Sequence, residues 1–164
     1  MPESTPPLPD GVTVVDLILW RHAEAEESFP DLARKLTARG QKHAARAAVW
    51  LQQRLPSKYA VLASPAERTR QTALALGVPF KTVPALAPGA SVAEILKAAE
   101  WPDRKGAVII VGHQPDLGHV AAYLLSGSPG DWTIKKGGIW WLTNRVRNDD
   151  AQVVLRAAIA PDLI

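Results

Sequence analysis

Short apolar runs alternate with longer amphipathic stretches along this chain, and the two patterns separate predicted strands from predicted helices. Four runs are short and rich in branched or aromatic residues, which is typical of buried strands; they cover residues 12–20, 59–63, 80–83 and 107–111. Apolar residues recur at helical spacing elsewhere, which predicts helices over about 37–54, 64–76, 91–99 and 117–125. Strand and helix therefore alternate four times along the chain.

The predicted helices begin at recognisable start signals. Thr37 is a predicted N-cap, with Gly40 as a weak position in the first turn of the helix that follows. Residues 64–67 (Ser-Pro-Ala-Glu) predict a capping box with proline at the first helical position. Residues 91–94 (Ser-Val-Ala-Glu) predict a second capping box.

The last third of the chain has a different pattern. Residues 139–143 and 152–158 resemble strands, and the turn-rich residues 144–150 between them predict an antiparallel hairpin. The fold class predicted from the whole pattern is α/β, a three-layer sandwich. Its central sheet is mostly parallel, with helices on both faces and the antiparallel hairpin at one edge. Trp140 and Trp141 are neighbours on a strand and must point to opposite faces. One is expected in the core, and the other over the site or at a subunit contact.

Composition adds limits to this picture. The 164 residues contain no cysteine, which excludes disulfides, thiolate metal sites and a cysteine nucleophile. Residues 1–11 are rich in proline and contain no basic residue, so they predict a flexible tail rather than a signal peptide. Residues 12–164 then form one predicted domain. No apolar run reaches the length of a membrane span, and the protein is predicted to be cytoplasmic with no membrane partner.

The formal net charge of +3 could suggest a nucleic-acid partner. The densest basic stretch, however, places Arg39, Lys42, His43 and Arg46 on one face of a helix whose opposite face is apolar. That arrangement is typical of a solvated helix surface, and it lacks the interleaved aromatic residues of a strand-binding platform. We therefore expect no nucleic-acid partner.

Three predicted strands run directly into polar residues. Arg21 and His22 follow the first strand, Arg68 lies in the first turn after the second, and His113 follows the strand at 107–111. The carboxyl ends of parallel strands form the ligand-binding edge of an open α/β sheet. Two arginines, two histidines and a helix N-terminus at that edge predict a site for a tetrahedral dianion such as phosphate.

The reaction type follows from what the sequence lacks. There is no cysteine, no glycine-rich nucleotide loop and no clustered spacing of metal ligands. Histidine itself is then the nucleophile that can take a phosphoryl group without a metal or other cofactor. The surrounding cations are expected to lower the pKa of His22 and keep its ring neutral.

These motifs resemble the histidine phosphatase superfamily, which has the phosphoglycerate-mutase-like fold. The resemblance rests on R-H-A after the first strand, S-P-x-x-R-x-x-Q-T-A at 64–73 and V-G-H at 111–113. Within that superfamily, R-H-A-E-A, L-T-x-x-G at 36–40, G-H-x-P and K-K-G-G at 135–138 are similar to the small SixA-type phosphohistidine phosphatases. The resemblance extends from residue 12 to the end of the chain. Ala23 departs from the glycine that often follows R-H in the family and implies a slightly different turn.

The resemblance implies a role for each residue of the site. His22 becomes the phosphohistidine intermediate, Arg21 and Arg68 clamp the phosphoryl oxygens, and His113 donates a hydrogen bond to them. The general acid has no clear counterpart, and three nearby carboxylates are expected to be solvent-facing loop residues: Glu24, Glu26 and Asp31. Glu24 is kept as the possible acid. Phosphoramidate hydrolysis depends less on such an acid, because imidazole leaves more easily than an alkoxide.

The expected function is removal of phosphoryl groups from protein phosphohistidine, with a signalling or phosphotransfer protein as partner. Two alternatives remain open. A phosphatase or mutase for a small phosphate ester, such as a sugar phosphate, would be favoured by a carboxylate clearly placed near the phosphate, whereas an open, shallow pocket would favour a protein substrate. The second alternative is a binding module without catalysis: the intact His22 disfavours a phosphate-binding module, and the lack of aromatic residues on the basic helix face disfavours a nucleic-acid-binding one.

Overall fold

The apolar runs form a single six-stranded sheet in the order β3-β2-β4-β1-β5-β6. The computed structural model describes residues 12–164, so the tail predicted for residues 1–11 lies outside the described residues. The strands are β1 (Val12–Arg21), β2 (Tyr59–Ala63), β3 (Lys81–Thr82), β4 (Gly106–Gly112), β5 (Ile139–Arg147) and β6 (Asp150–Ile159). The helices are α1 (Ala38–Gln52), α2 (Glu67–Leu74), α3 (Val92–Ala98) and α4 (Asp116–Ser126). β1 to β4 are mutually parallel, and β5 and β6 pair antiparallel, which confirms the predicted fold class.

Helices cover both faces of the sheet, because successive residues of the buried strands point to opposite sides. On one face, Ile18 and Trp20 of β1 belong to a buried cluster with residues of α1 and α2. On the other face, Leu17 and Leu19 belong to a cluster with residues of α3 and α4. These two clusters are the cores on either side of the central sheet, and they account for the three layers.

The two adjacent tryptophans divide between these cores. Trp141 is a buried member of the first cluster, and Trp140 packs against the second beside Trp132, with ring centroids 6.1 Å apart. They do point to opposite faces, as predicted. Trp141 is the expected core residue of the pair, whereas the expectation that the other tryptophan covers the site or a subunit contact stays a prediction.

The hairpin at the sheet edge is tighter than the sequence suggested. Most of the predicted turn at 144–150 is strand, and β5 and β6 are joined by Asn148 and Asp149 alone. Both residues have positive φ angles, 51° and 66°. Asparagine and aspartate are the residues other than glycine that most readily accept that conformation in a two-residue hairpin loop.

The parallel pairing brings three strand ends to one edge of the sheet. Ala63 at the end of β2 is in register with Val111 of β4, and Arg21 at the end of β1 is in register with Gly112. Because β4 lies between β1 and β2, the polar segments that follow these strands are neighbours. Separately, none of the helices in residues 12–164 is long and apolar enough to cross a membrane.

Candidate active site

Backbone hydrogen bonds continue past the strand ends and fix the histidines side by side. The His22 amide donates to the Gly112 carbonyl at 3.0 Å, and the Ser64 amide donates to the Val111 carbonyl at 3.0 Å. The rings of His22 and His113 lie with their centroids 5.4 Å apart. Only 8% of His22 and 4% of His113 is exposed to solvent. The predicted strand-end residues therefore meet in one recessed site.

His22 is held in a single tautomer. Its Nδ1 lies 2.7 Å from the Ala23 carbonyl oxygen. A carbonyl can only accept, so Nδ1 carries the proton and the neutral ring keeps its lone pair on Nε2. Burial lowers the pKa of His22 to about 4; the hydrogen bond to Ala23 opposes the shift, and the charges of Arg68, Arg21 and Arg34 add to it. The direction agrees with the sequence-based expectation, although burial, rather than the cations, is the larger cause.

Thr72 ties the backbone after His22 to the helix that carries Arg68. Its hydroxyl accepts a hydrogen bond from the Ala23 amide at 3.1 Å and donates to the Arg68 carbonyl at 2.8 Å. Thr72 and Ala23 are both completely buried. The nucleophile candidate and the clamp candidate are thus positioned relative to each other by one side chain.

Gly40 determines how closely α1 approaches the same loop. A Cβ atom at this position would lie 2.1 Å from the Glu24 carbonyl oxygen, far inside van der Waals contact. The sequence-based view of Gly40 as a weak point of the helix was therefore incomplete. The N-cap itself is as predicted, since the Thr37 side chain accepts from the Gly40 amide at 3.0 Å.

In both clamp arginines, Arg21 and Arg68, the terminal nitrogen Nη1 is hydrogen-bonded, whereas Nε is not bonded within the described part of the chain. Arg21 donates from Nη1 to the Ile134 carbonyl at 2.8 Å, and Arg68 donates from Nη1 to the Asp31 carbonyl at 2.8 Å. The Nε atoms of both arginines are buried without a hydrogen-bond partner among residues 12–164, and so is Nδ1 of His113. Unpaired buried polar groups are rare, and a bound ion is one of the explanations for them. These groups suit a tetrahedral anion, which offers acceptors in several directions.

Ser64 belongs to this site and not to a helix cap, so the predicted capping box at 64–67 was wrong. α2 begins at Glu67, and its N-cap residue Ala66 makes no side-chain capping bond. The Ser64 hydroxyl oxygen instead lies 2.7 Å from His113 Nε2 and accepts from the Ala66 amide at 3.2 Å. The available sequence signal was its place directly after β2, the same position that His22 and His113 occupy after their strands.

The carboxylate considered as a possible acid in the sequence, Glu24, points toward α1. One of its oxygens accepts from the Thr37 hydroxyl at 3.2 Å, and the other lies 4.0 Å from Arg39. Glu26 is exposed. Neither carboxylate is paired with the clamp arginines.

Asp31, expected to be a solvent-facing loop residue, contacts the clamp directly. Its Oδ2 lies 3.2 Å from Arg68 Nη2, and its Oδ1 lies 3.3 Å from Arg34 Nη1. Burial acts to raise the pKa of Asp31, but the charges and hydrogen bonds of Arg68 and Arg34 outweigh it and lower the pKa overall. Arg34, which lies three residues after Asp31, was not among the candidate site residues. No local motif connects it with Arg68.

Comparison with known proteins gives a consistent result. The family model described as the histidine phosphatase superfamily (branch 1) matches residues 17–89. An uncharacterized protein of Picosynechococcus sp. is 35% identical over 138 residues, which is 76% of this chain and 82% of that relative.

Solved structures match over nearly the whole chain. A Nakamurella multipartitia protein, described as a candidate SixA phosphohistidine phosphatase, is 27% identical with a TM-score of 0.76, covering 93% of this chain and 99% of that one. A mycobacterial glucosyl-3-phosphoglycerate phosphatase shares the fold at 19% identity and a TM-score of 0.64, covering 88% of this chain and 98% of that one.

Proposed function

This chain belongs to the histidine phosphatase superfamily, and from that premise we propose that it removes phosphoryl groups from phosphohistidine in proteins. The observation that carries the proposal is the state of His22. Its Nδ1 proton is committed to the Ala23 carbonyl, and the ring is neutral, so Nε2 offers a lone pair. Nucleophilic catalysis by histidine requires that form of the ring.

In the proposed reaction, His22 Nε2 attacks the phosphorus atom in line with the bond to the leaving nitrogen. The P–N bond breaks, its electron pair stays on the departing imidazole, and the phosphoryl group moves to Nε2. Water then attacks the phosphorylated His22 and releases inorganic phosphate. Arg21 and Arg68 neutralise the charge on the phosphoryl oxygens throughout, which is where catalysis of phosphoryl transfer is concentrated.

His113 supplies a further donor in this scheme. Its pKa is lowered to about 3, chiefly by burial and then by the charge of Arg68, so its ring is neutral near pH 7. In the tautomer that this scheme requires, the Ser64 hydroxyl donates to Nε2, 2.7 Å away, and the ring proton lies on Nδ1. Nδ1 is buried without a partner among residues 12–164, and it donates to a phosphoryl oxygen.

The proposed preference for a P–N bond over the P–O bond of a phosphate ester follows from the protonation state of the carboxylate at the clamp. An alkyl phosphate ester needs a proton donor for its alkoxide leaving group. Asp31 is the carboxylate at the clamp, and two arginines lower its pKa, so it is ionised near neutral pH and has no proton to donate. Imidazole leaves without that help when its second ring nitrogen is already protonated.

A protein substrate is supported by the surface beside the clamp. Phe29 and Leu32 flank Asp31 in the chain, and their side chains are 99% and 52% exposed. A small sugar phosphate would leave this apolar surface in water, whereas a folded partner would cover it. The proposed partner is thus a cytoplasmic signalling or phosphotransfer protein that carries phosphohistidine.

A small phosphate ester is the second candidate substrate, because the Asp31 carboxylate lies beside Arg68, an arrangement that favours such an ester, and because a glucosyl-3-phosphoglycerate phosphatase shares the fold. The two are separated by kcat/KM for a phosphohistidine peptide and for a panel of sugar phosphates, measured on the wild type and on His22→Ala. We expect the phosphohistidine peptide to be preferred by at least about a hundredfold, and His22→Ala to be inactive on all substrates. A sugar phosphate that is turned over faster than phosphohistidine would contradict the proposal.

A further inference from the structure

We propose that Asp31 contacts the leaving group: its carboxylate accepts a hydrogen bond from the protonated second nitrogen of the substrate's phosphohistidine ring. The inference rests on the proposed function and deepens it, because it identifies the group that would favour a P–N substrate over a phosphate ester.

The position of Asp31 relative to the clamp carries the inference. Arg68 is only 5% exposed, whereas the Asp31 side chain, 3.2 Å from Arg68 Nη2, is 58% exposed. The carboxylate therefore stands on the solvent side of the buried clamp. His22 is buried, with 8% exposed, and in-line transfer requires the leaving group to depart on the side opposite the nucleophile. The departing ring consequently passes the side of the clamp that Asp31 occupies.

Asp31 has acceptor capacity left for a substrate. A carboxylate offers about four lone-pair positions, and the arginine contacts use one on each oxygen: Oδ2 faces Arg68 and Oδ1 faces Arg34. The backbone is fixed independently, because the Asp31 carbonyl accepts from Arg68 Nη1 at 2.8 Å. Arg34 also donates from Nε to the Glu26 carbonyl at 2.7 Å, which holds the two ends of the loop together. The acceptor is thus presented in a preorganised position.

The chemistry of phosphohistidine explains what this acceptor does. If the second ring nitrogen is unprotonated, breaking the P–N bond would release an imidazolate anion, which is a poor leaving group. If that nitrogen carries a proton, the same bond breaks with its electron pair moving onto the ring, and neutral imidazole departs with its N–H intact. A carboxylate that accepts from this N–H stabilises the reactive protonated form. Aspartate supports a histidine ring in the same way within a serine protease triad.

The test compares Asp31→Asn with wild type on two substrates, a peptide phosphorylated on histidine and p-nitrophenyl phosphate. Asparagine keeps one oxygen that can accept from the ring N–H but loses the charge, and a hydrogen bond to a charged group exceeds a neutral one by about tenfold, so we expect about a tenfold loss in kcat/KM for the phosphohistidine peptide. Activity on p-nitrophenyl phosphate, whose nitrophenolate needs no such contact, is expected to stay within about threefold. Inhibition by vanadate is expected to be similarly unchanged, because the carbonyl of residue 31 still accepts from Arg68 Nη1 and the asparagine side-chain oxygen can still accept from Arg68 Nη2.

The matched control is Glu27→Gln. Glu27 lies in the same loop, but its side chain is 97% exposed and its ion pair, at 3.7 Å, is with Arg34 and not with Arg68. We expect both substrates to be unaffected by this change. Equal losses on both substrates in Asp31→Asn, or weaker vanadate inhibition, would show that Asp31 only positions Arg68. An unchanged rate on phosphohistidine would also overturn the inference. A wild-type enzyme without phosphohistidine activity would instead refute the proposed function itself.

Discussion

Replacing Thr72 with valine removes the hydroxyl that joins the His22 loop to α2 while preserving the shape of the side chain. The Ala23 amide would lose its acceptor in a fully buried position, and the Arg68 carbonyl would lose a donor. Leaving a buried donor unsatisfied costs about 1–3 kcal/mol. For a protein of this size, each kcal/mol lowers the melting temperature by about 2–4 °C. A displacement of about 1 Å at the reacting group can reduce catalysis by about a hundredfold, so we expect kcat/KM to fall by at least about tenfold.

Thr143→Val is the control, because it removes a comparable hydrogen bond far from the site. The Thr143 hydroxyl donates to Asp16 Oδ1 at 2.7 Å, in the half of β1 away from Arg21. Urea unfolding of both variants is expected to show similar losses of stability with unchanged slopes, whereas only Thr72→Val loses activity against p-nitrophenyl phosphate. If Thr72→Val is destabilised but fully active, Thr72 supports the fold without positioning His22. If it is neither destabilised nor impaired, the account of this hydrogen bond is wrong.

Three other predictions concern packing, pH and metal dependence. Gly40→Ala would place a Cβ 2.1 Å from the Glu24 carbonyl oxygen, and we expect urea unfolding to show a loss of about 1–3 kcal/mol together with reduced kcat. The pKa of His22 is 6.5 in the unfolded chain and about 4 in the folded protein. As the pH falls, the ring therefore takes up a proton in the unfolded chain first, which favours unfolding. Between pH 7 and pH 4, wild type is therefore expected to lose about 3 kcal/mol more stability than His22→Gln; equal losses would place the His22 pKa near its ordinary value. Because Arg21 and Arg68 supply the neutralising charge, we expect chelator treatment to leave kcat unchanged and vanadate to inhibit competitively. Activity that is lost with chelator and restored by Mg²⁺ or Zn²⁺ would contradict this prediction.

The fold was predictable because its main strands are continuous apolar runs. β1 ends at Arg21 and is followed by His22, β4 is followed by His113, and parallel pairing alone brings those ends together. The capping box at Ser91 was also predictable, since Ser91 and Glu94 bond only to each other's local backbone. Hydrogen bonds between residues less than one helical turn apart can therefore be predicted from the sequence.

Features that depend on distant partners were not predictable. Ser64 and Glu67 have the same spacing as Ser91 and Glu94, yet the Ser64 hydroxyl contacts His113, which is 49 residues away. Asp31 contacts Arg68 across 37 residues. The low pKa of His22 arises chiefly from burial, which the folded chain creates and the sequence does not display. Local spacing could not distinguish these cases.

The central claim is that His22 is the nucleophile, and a covalent intermediate tests it most directly. Wild type and His22→Ala are mixed with ³²P-labelled substrate, quenched within milliseconds and in the steady state, and mapped by peptide mass spectrometry under alkaline conditions. The account predicts one acid-labile, base-stable phosphoryl group on the peptide that contains His22, and none in His22→Ala. Rapid turnover without label on His22 at any quench time, or full labelling and activity in His22→Ala, would contradict it.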